Sequence, residues 1–247
     1  MGNKISIVMA CKNSGHTISK SIKSFLSQNY KKKELIIVDG GSTDNTLNEI
    51  NRFKKIDLII KKENCGLYDS INLGIKKSSG NIIALLHSDD FFYNDQILDK
   101  INQIFYNNKK LEVIYSNIVF VDKYLKIKRK WISGIINSNN INCGIFPPHT
   151  GIFVKKDLFK KIGYYKSNYK IASDIGWMHK IFSEKKIETH YLNRYTVKMS
   201  IGGLSTKSFK NICISNYEAY KILKEQKVKN IKLLILKKIL SKLSQLN

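Results

Sequence analysis

Glu34-Leu35-Ile36-Ile37-Val38-Asp39-Gly40-Gly41-Ser42-Thr43-Asp44 is the stretch that decides the fold. Leu35 to Val38 is apolar without interruption, as a strand covered on both faces requires. Asp39 ends the run. Two glycines then allow a tight turn, and Ser42 and Thr43 supply hydroxyls that cap the helix following through Thr46, Leu47, Ile50 and Phe53. The unit reads strand, polar turn, helix.

Working outward, the unit recurs. Ile5 to Ala10 reads as a strand, and Ser14 to Ser27 carries a helical stripe at Ile18, Ile22, Phe25 and Leu26. Ile56 to Ile60 is a third strand, and Tyr68 to Ile75 a helix stopped by Gly80. Asn81 to Leu86 is a fourth strand ending at Ser88-Asp89-Asp90, with a helix from about Asp95 to Tyr106. Alternation of this kind predicts an α/β fold with a mostly parallel central sheet flanked by helices. Ligands bind beyond the carboxyl ends of such strands, which singles out Asn13, Asp39, the loop 63–70 and Ser88-Asp89-Asp90 as parts of one rim.

After residue 110 the pattern changes. Glu112 to Val121 and Leu125 to Trp131 read as strands, and residues 133–146, rich in Gly, Asn and Ser, as a flexible loop. Thr150 to Val154 is a short strand before a helix near Asp157, and Ser173-Asp174 opens a helix through Trp177, Ile181 and Phe182. We divide the chain at residue 205: a domain 1–205, with halves 1–110 and 111–205, and a basic amphipathic helical tail 206–247. From Asn230 to Leu246 a helical stripe of Ile235, Ile239, Leu243 and Leu246 alternates with Lys232, Lys237, Lys238 and Lys242. Two readings stay open for this tail, a helix on an anionic membrane surface or a helix packed on the domain.

The 247 residues carry a formal net charge of +24, with 43 Lys and Arg against 19 Asp and Glu. Only Arg52, Arg129 and Arg194 are arginines. Recognition of nucleic acid leans on the planar arginine fork, and no binding module is present, so no nucleic-acid partner is expected. The lysines suit either codon bias or attraction to anionic headgroups and phosphate-bearing substrates. Cysteines at 11, 65, 143 and 213 are too far apart for a paired metal or redox motif and read as free thiols of a reducing cytoplasm. No apolar run reaches the roughly 18 residues of a membrane span, and no secretory signal is read at the start.

Adjacent carboxylates at Asp89 and Asp90, at the end of an apolar strand, repel each other and call for a compensating cation or strong donors. Oxygen ligands of this kind suit Mn2+ or Mg2+, completed by water and substrate phosphates. Taken alone, Ser-Asp-Asp is equally a helix cap. The turn at Asp39 contains neither G-x-G-x-x-G nor a P-loop.

At these residues a resemblance emerges. SIVMACKNSGHTISKSIKSFLSQNYKKKELIIVDGGSTDNT (6–46) and ENCGLYDSINLGIKKSSGNIIALLHSDDFF (63–92) resemble the opening of the family 2 glycosyltransferases. PHTGIFVKKDLFKKIGYY (148–165) and YKIASDIGW (169–177) resemble the family's acceptor-side segments. The resemblance covers roughly residues 4–185 and implies a GT-A fold. It implies an inverting, metal-dependent hexosyltransferase acting on a nucleotide sugar, UDP first, with dTDP and GDP as alternatives. Asp90 would bind the metal; Ser88 and Asp89 would lie near the metal and ribose; Asp39, Asp69 and the backbone of Ala10 would contact the nucleoside. Asp174 would be the general base. His149 is a candidate contact to phosphate or acceptor, and Trp177 a sugar platform or a core residue.

Small bacterial members extend lipid-linked glycans for O antigen, capsule or lipooligosaccharide. The implied partner is therefore a glycan or lipid-diphosphate-linked acceptor, and the implied location the inner face of the cytoplasmic membrane, with peripheral contact through the tail. The alternative is a non-catalytic nucleotide-sugar-binding homologue. Three departures stand out: Gly40 where the family often has Asp, Lys12 where it has an aromatic, and Gly176 where it often has a second acid after the base.

Overall fold

The structure is a computed structural model that describes residues 2–137, 140, 141, 144–203 and 208–241. Cys143, Lys242, Leu243, Leu246 and the side chains of Lys238 and Ile239, named above, lie outside the described residues.

Strands β1 (Ile5–Cys11), β2 (Lys33–Asp39), β3 (Leu58–Lys61) and β4 (Ile82–Leu85) alternate with helices α1 (Ile18–Leu26), α2 (Thr46–Asn51) and α3 (Leu67–Lys77). All pairings among these strands are parallel, with Cys11 opposite Asp39 and Asp39 opposite Lys61. The parallel half is thus as the sequence implies. The order β3-β2-β1-β4 puts the turns after these strands on one rim.

The second half makes the sheet mixed. It contains β5 (Phe91–Phe92), α4 (Ile97–Asn107), β6 (Val113–Val121), β7 (Ile127–Trp131), a 3-10 turn at His149–Gly151 and β8 (Ile152–Lys155). Then follow α5 (Leu158–Ile162), α6 (Ser173–Ser183), β9 (Thr189–Ser200), α7 (Phe209–Glu225) and α8 (Ile231–Ser241). Among the described residues the sheet continues from β4 as β8-β6-β9-β5, with β7 beside β6. The β4–β8, β6–β8, β6–β7 and β5–β9 pairs are antiparallel, and β6–β9 is parallel. Sequence reading missed β5 and β9, and covered α7 only as part of the helical tail 206–247. β9 is mostly polar, and its register against β6 shifts at Ser116–Ile118, so it shows no clean alternation.

Strand periodicity divides the core. Ile5, Ile7, Met9 and Cys11 point to the face covered by α1 and α4, and Val8 and Ala10 to the face covered by α3 and α6. Each fully buried side chain of this size contributes about 1.5–3 kcal/mol of apolar transfer energy. At the opposite end of the sheet from the rim, buried Glu34 ties three strands together. It accepts from Lys4, Ser6 and Ser79 and from the N–H of Gly80. Burial alone would raise its pKa, but these donors outweigh it and hold the carboxyl at about 2, below the ordinary 4.5.

The segment 133–146 is more anchored than its composition implies: Ile136, Ile141 and Phe146 are buried in the core, and the Ile136 N–H donates to the Tyr115 hydroxyl. Beyond residue 205, α7 shares the core of the preceding residues through Ala219, Ile222 and Leu223. On α8, Leu234 is buried and Ile231 and Ile235 pack against the same cluster, whereas Leu233 and Leu236 face outward. No helix among the described residues is long and apolar enough to cross a membrane.

Candidate active site

The rim is built from four turns that hold one another. Asn13, with φ 52°, accepts from the Thr43 N–H through Oδ1 and donates its own N–H to Ser42. The Gly15 N–H donates to Asp44, and the Ser14 N–H to Thr46. The hydroxyls of Ser14 and Ser88 meet at 2.8 Å, joining the turn after β1 to the turn after β4.

Asp39 is buried at the end of β2. Its carboxylate accepts from the N–H groups of Gly41 and Ser42, the Ser42 hydroxyl and the Cys11 thiol. Burial and the Asp39 charge push the Cys11 thiol up, so it stays protonated. The Asp-Gly-Gly turn has a steric cause. Gly41 has φ +87°, and a Cβ at Gly40 would lie 3.0 Å from the Cys65 carbonyl oxygen. The close passage of the 63–66 loop therefore accounts for Gly40 standing where the family often carries Asp. Ala10 is buried at the end of β1, and half-buried Asp69 lies in the first turn of α3 beside Tyr68.

A second group forms where α3, α6 and the turn after β4 converge. The Tyr68 hydroxyl lies 2.7 Å from the Ile171 carbonyl and 3.0 Å from Asp174 Oδ1, two acceptors for its single proton. Burial and the Asp174 charge raise the Tyr68 pKa, so that proton stays in place. His149 Nδ1 is 3.6 Å from Asp174 Oδ2, and His149 Nε2 is 2.9 Å from His87 Nε2. Burial lowers both histidines to about 4, the neighbouring ring adding to the effect at His87 against the pull of Asp89 and Asp174. Both rings are therefore neutral near pH 7, and the 3.6 Å contact is not an ion pair. The tautomers that suit all contacts put a proton on His149 Nδ1, toward the carboxylate, and one on His87 Nε2, donated to His149.

The Asp89–Asp90 pair is asymmetric. Asp90 is 1% exposed; its Oδ1 accepts the Ser200 N–H at 3.0 Å, and its Oδ2 is buried without a hydrogen-bond partner. Burial, then the Asp89 charge, raises its pKa well above the ordinary carboxylate range, against the Ser200 N–H. Asp89 is half-buried, and its carbonyl accepts from the Ser200 hydroxyl. Sequence reasoning put Asp90 on the ion and Asp89 beside it, and the two side chains lie at the same turn with one Asp90 oxygen left unpaired. Among the described residues no three His, Cys, Asp or Glu side chains form a protein-only metal cage. An ion bridging a diphosphate needs only one or two protein carboxylates. The unpaired Asp90 oxygen, with half-buried Asp89 beside it, fits that requirement.

The structure thus brings together Asp174, His149, Tyr68 and His87, the last one residue from Ser88 and two from Asp89. It leaves Asp39 engaged by its own turn. Trp177 is core: it stacks on Phe159 at 5.0 Å between ring centroids and donates Nε1–H to the Gly163 carbonyl. Sequence reasoning missed His87, Tyr68, Ser200 and Glu218. His87 and Tyr68 adjoin singled-out residues and were findable. Glu218 had no local signal; it accepts the N–H groups of Lys170, Ile171 and Ala172 from α7.

Comparison with known proteins agrees with this geometry. Residues 6–163 match the profile of glycosyl transferase family 2. The poly-beta-1,6-N-acetyl-D-glucosamine synthase of Staphylococcus epidermidis is 31% identical over 217 residues, 81% of this chain and 52% of that protein. The chain thus spans about half the length of that relative. A PGL/p-HBAD biosynthesis glycosyltransferase of Mycobacterium tuberculosis is 26% identical over 206 residues, covering 81% of this chain and 78% of the relative. Among solved structures, S. aureus TarS 1-349 in complex with UDP-GlcNAc superposes with a TM-score of 0.70 at 18% identity, over 89% of this chain and 64% of that one. The mannosyltransferase PcManGT from Pyrobaculum calidifontis, in complex with GDP-Man and Mn2+, gives 0.64 at 10% identity, over 97% and 74%. These likenesses establish the GT-A fold.

Proposed function

The chain belongs to glycosyl transferase family 2, and from that premise we propose that it is an inverting glycosyltransferase that moves a sugar from a nucleotide sugar, UDP first, to a glycan or lipid-diphosphate-linked acceptor. The observation that carries this reading is the convergence of Asp174, with its Tyr68 and His149 neighbours, on the turn that ends in Ser88-Asp89-Asp90.

Ala10, Asp39 and Asp69 line the nucleoside end of the site, and Ser88 lies at the ribose and diphosphate end. Asp90, with Asp89 beside it, would hold Mn2+ or Mg2+, which would supply charge neutralisation for the leaving diphosphate. Asp174 accepts the proton of the acceptor hydroxyl as that oxygen attacks the anomeric carbon. The bond from that carbon to the diphosphate oxygen breaks, and its electron pair leaves with the nucleotide. One displacement inverts the carbon, with no covalent enzyme intermediate. The Tyr68 hydroxyl fixes one carboxylate oxygen of Asp174, and the neutral His149 ring borders the other. Residues 1–205 carry this chemistry. The tail 206–247 makes peripheral contact with the inner face of the cytoplasmic membrane; the outward Leu233, Leu236, Lys232 and Lys237 of α8 support this.

A thermal-shift screen of nucleotide sugars with and without Mn2+ tests the assignment. A metal-dependent rise in Tm with one donor class, lost in Asp90→Asn, is the expected result. Equal response to all donors, independent of metal, would contradict it.

A further inference from the structure

The β6–β7 hairpin ends beside the site. Val121, the last residue of β6, pairs with Ser200 of β9, whose N–H and hydroxyl are bound by Asp90 and Asp89. Asp122 then turns the chain back. Its Oδ1 accepts the N–H groups of Tyr124 and Lys126, and its carbonyl accepts the N–H of Leu125. This compact tip therefore projects from the active-site rim.

Its surface has an unusual composition. Residues 122–135 hold five basic side chains, Lys123, Lys126, Lys128, Arg129 and Lys130, against the single acid Asp122. Asp122 is taken up by Lys128 at 3.2 Å. Interleaved with these at the tip are apolar side chains left in solvent: Tyr124 at 77% exposure, Leu125 at 45% and Ile127 at 41%. Leu125 also has φ +65°, a left-handed conformation that Gly or Asn adopts at lower cost. A leucine here gains little core contact in return, because its side chain faces solvent. Single exposed apolar residues are ordinary, but a cluster of them among lysines at one hairpin is not.

The geometry points to the β6–β7 hairpin as the surface by which this protein docks on an anionic lipid bilayer. Lysines meet the negative headgroups, and Tyr124 and Leu125 enter the headgroup–acyl boundary. Charge complementarity selects this occupant: an anionic membrane is both negatively charged and able to take up apolar side chains, whereas a soluble polyanion leaves Tyr124 and Leu125 in water. Docking by this hairpin sets the mouth of the active site against the membrane. This deepens the membrane-face part of the reading above, and its test involves no sugar transfer, so it stands or falls apart from the catalytic assignment.

The test is flotation of the full chain with vesicles of phosphatidylglycerol and phosphatidylcholine, and with phosphatidylcholine alone. Wild type is expected to float with the anionic vesicles only. Lys126→Gln/Lys128→Gln should lose roughly tenfold or more in partitioning. Tyr124→Ser/Leu125→Asn should lose a comparable amount while keeping its Tm, since Asn suits the left-handed position. Lys232→Gln/Lys237→Gln on α8, where the tail adds its own contact, should lose some binding but less than either hairpin variant; a greater loss there overturns the hairpin as the docking surface. The proposal fails if wild type shows no preference for anionic vesicles. It fails equally if the hairpin variants float like wild type, or lose only heparin or DNA binding.

Discussion

Glu218 on α7 accepts the backbone N–H of Ala172 at 3.1 Å, two residues before Asp174. It takes the N–H groups of Lys170 and Ile171 as well, each at 2.8 Å, so one carboxylate fixes the whole approach to the α6 N-terminus. On the same helix, Glu225 accepts from Tyr169 and Lys166, and Gln226 donates to the Gly176 carbonyl. A helix outside the 6–163 family match therefore holds the segment that carries Asp174, the proposed base.

Glu218 is a positioning residue, because it acts through Asp174. Glu218→Ala leaves three N–H groups without their acceptor and should destabilise the protein by about 2–4 kcal/mol. A displacement of about 1 Å at a reacting group costs on the order of a hundredfold in rate. We expect kcat to fall by about that factor while the donor-induced Tm shift persists. Equal loss of donor binding would indicate a merely structural role.

Gly176 explains a departure from the family. A Cβ there would lie 2.5 Å from Ile222 Cδ1 on α7, so the position of the family's second acid is closed by helix packing. Gly176→Ala should cost about 1–3 kcal/mol by overpacking. Ile222→Ala should relieve part of that cost, and a double-mutant cycle on Tm or urea midpoint would read the coupling. Strict additivity would contradict the contact.

Asp89 and Asp90 should separate on substitution. Asp90→Asn removes the charge behind the buried, unpaired oxygen and should abolish the metal-dependent donor shift. Asp89→Asn should keep most of it, within about a factor of ten in affinity, or about 1.4 kcal/mol. Isothermal titration with donor and Mn2+ checks both, and the opposite ranking would make Asp89 the ion-facing residue.

Acid should act on the sheet through Glu34. Its folded pKa of about 2 lies below the ordinary 4.5, so its contribution is fully present above 4.5 and is lost as pH falls toward 2. Glu34→Gln should lower Tm at neutral pH and flatten the dependence of Tm on pH in that window. An unchanged acid limb would place the acid-labile group elsewhere.

The parallel half of the sheet was legible because its strands and helices alternate locally and its turns carry their own glycines, hydroxyls and carboxylates. Ser88, Asp89 and Asp90 stand out for the same reason, whereas Asp174 is singled out only through the family resemblance. What was not legible was non-local. The contact of His149 with His87 spans 62 residues, and that of Glu218 with Ala172 spans 46. Neither leaves a periodic trace. β9 escaped notice because its pairing with β6 is interrupted by a bulge. The burial of Asp90 beneath Ser200 is likewise a contact across 110 residues, which adjacent identical side chains do not reveal.

The central claim is that Asp174 is the base for transfer at a nucleotide-sugar site assembled around Ser88-Asp89-Asp90. The most direct measurement is single-turnover transfer by Asp174→Asn, with the donor class identified by thermal shift, alongside donor affinity in the same variant. The account predicts a fall in the transfer rate of about 100-fold or more, the scale of a lost general base, with donor affinity near wild type. Transfer at the wild-type rate by Asp174→Asn would contradict it.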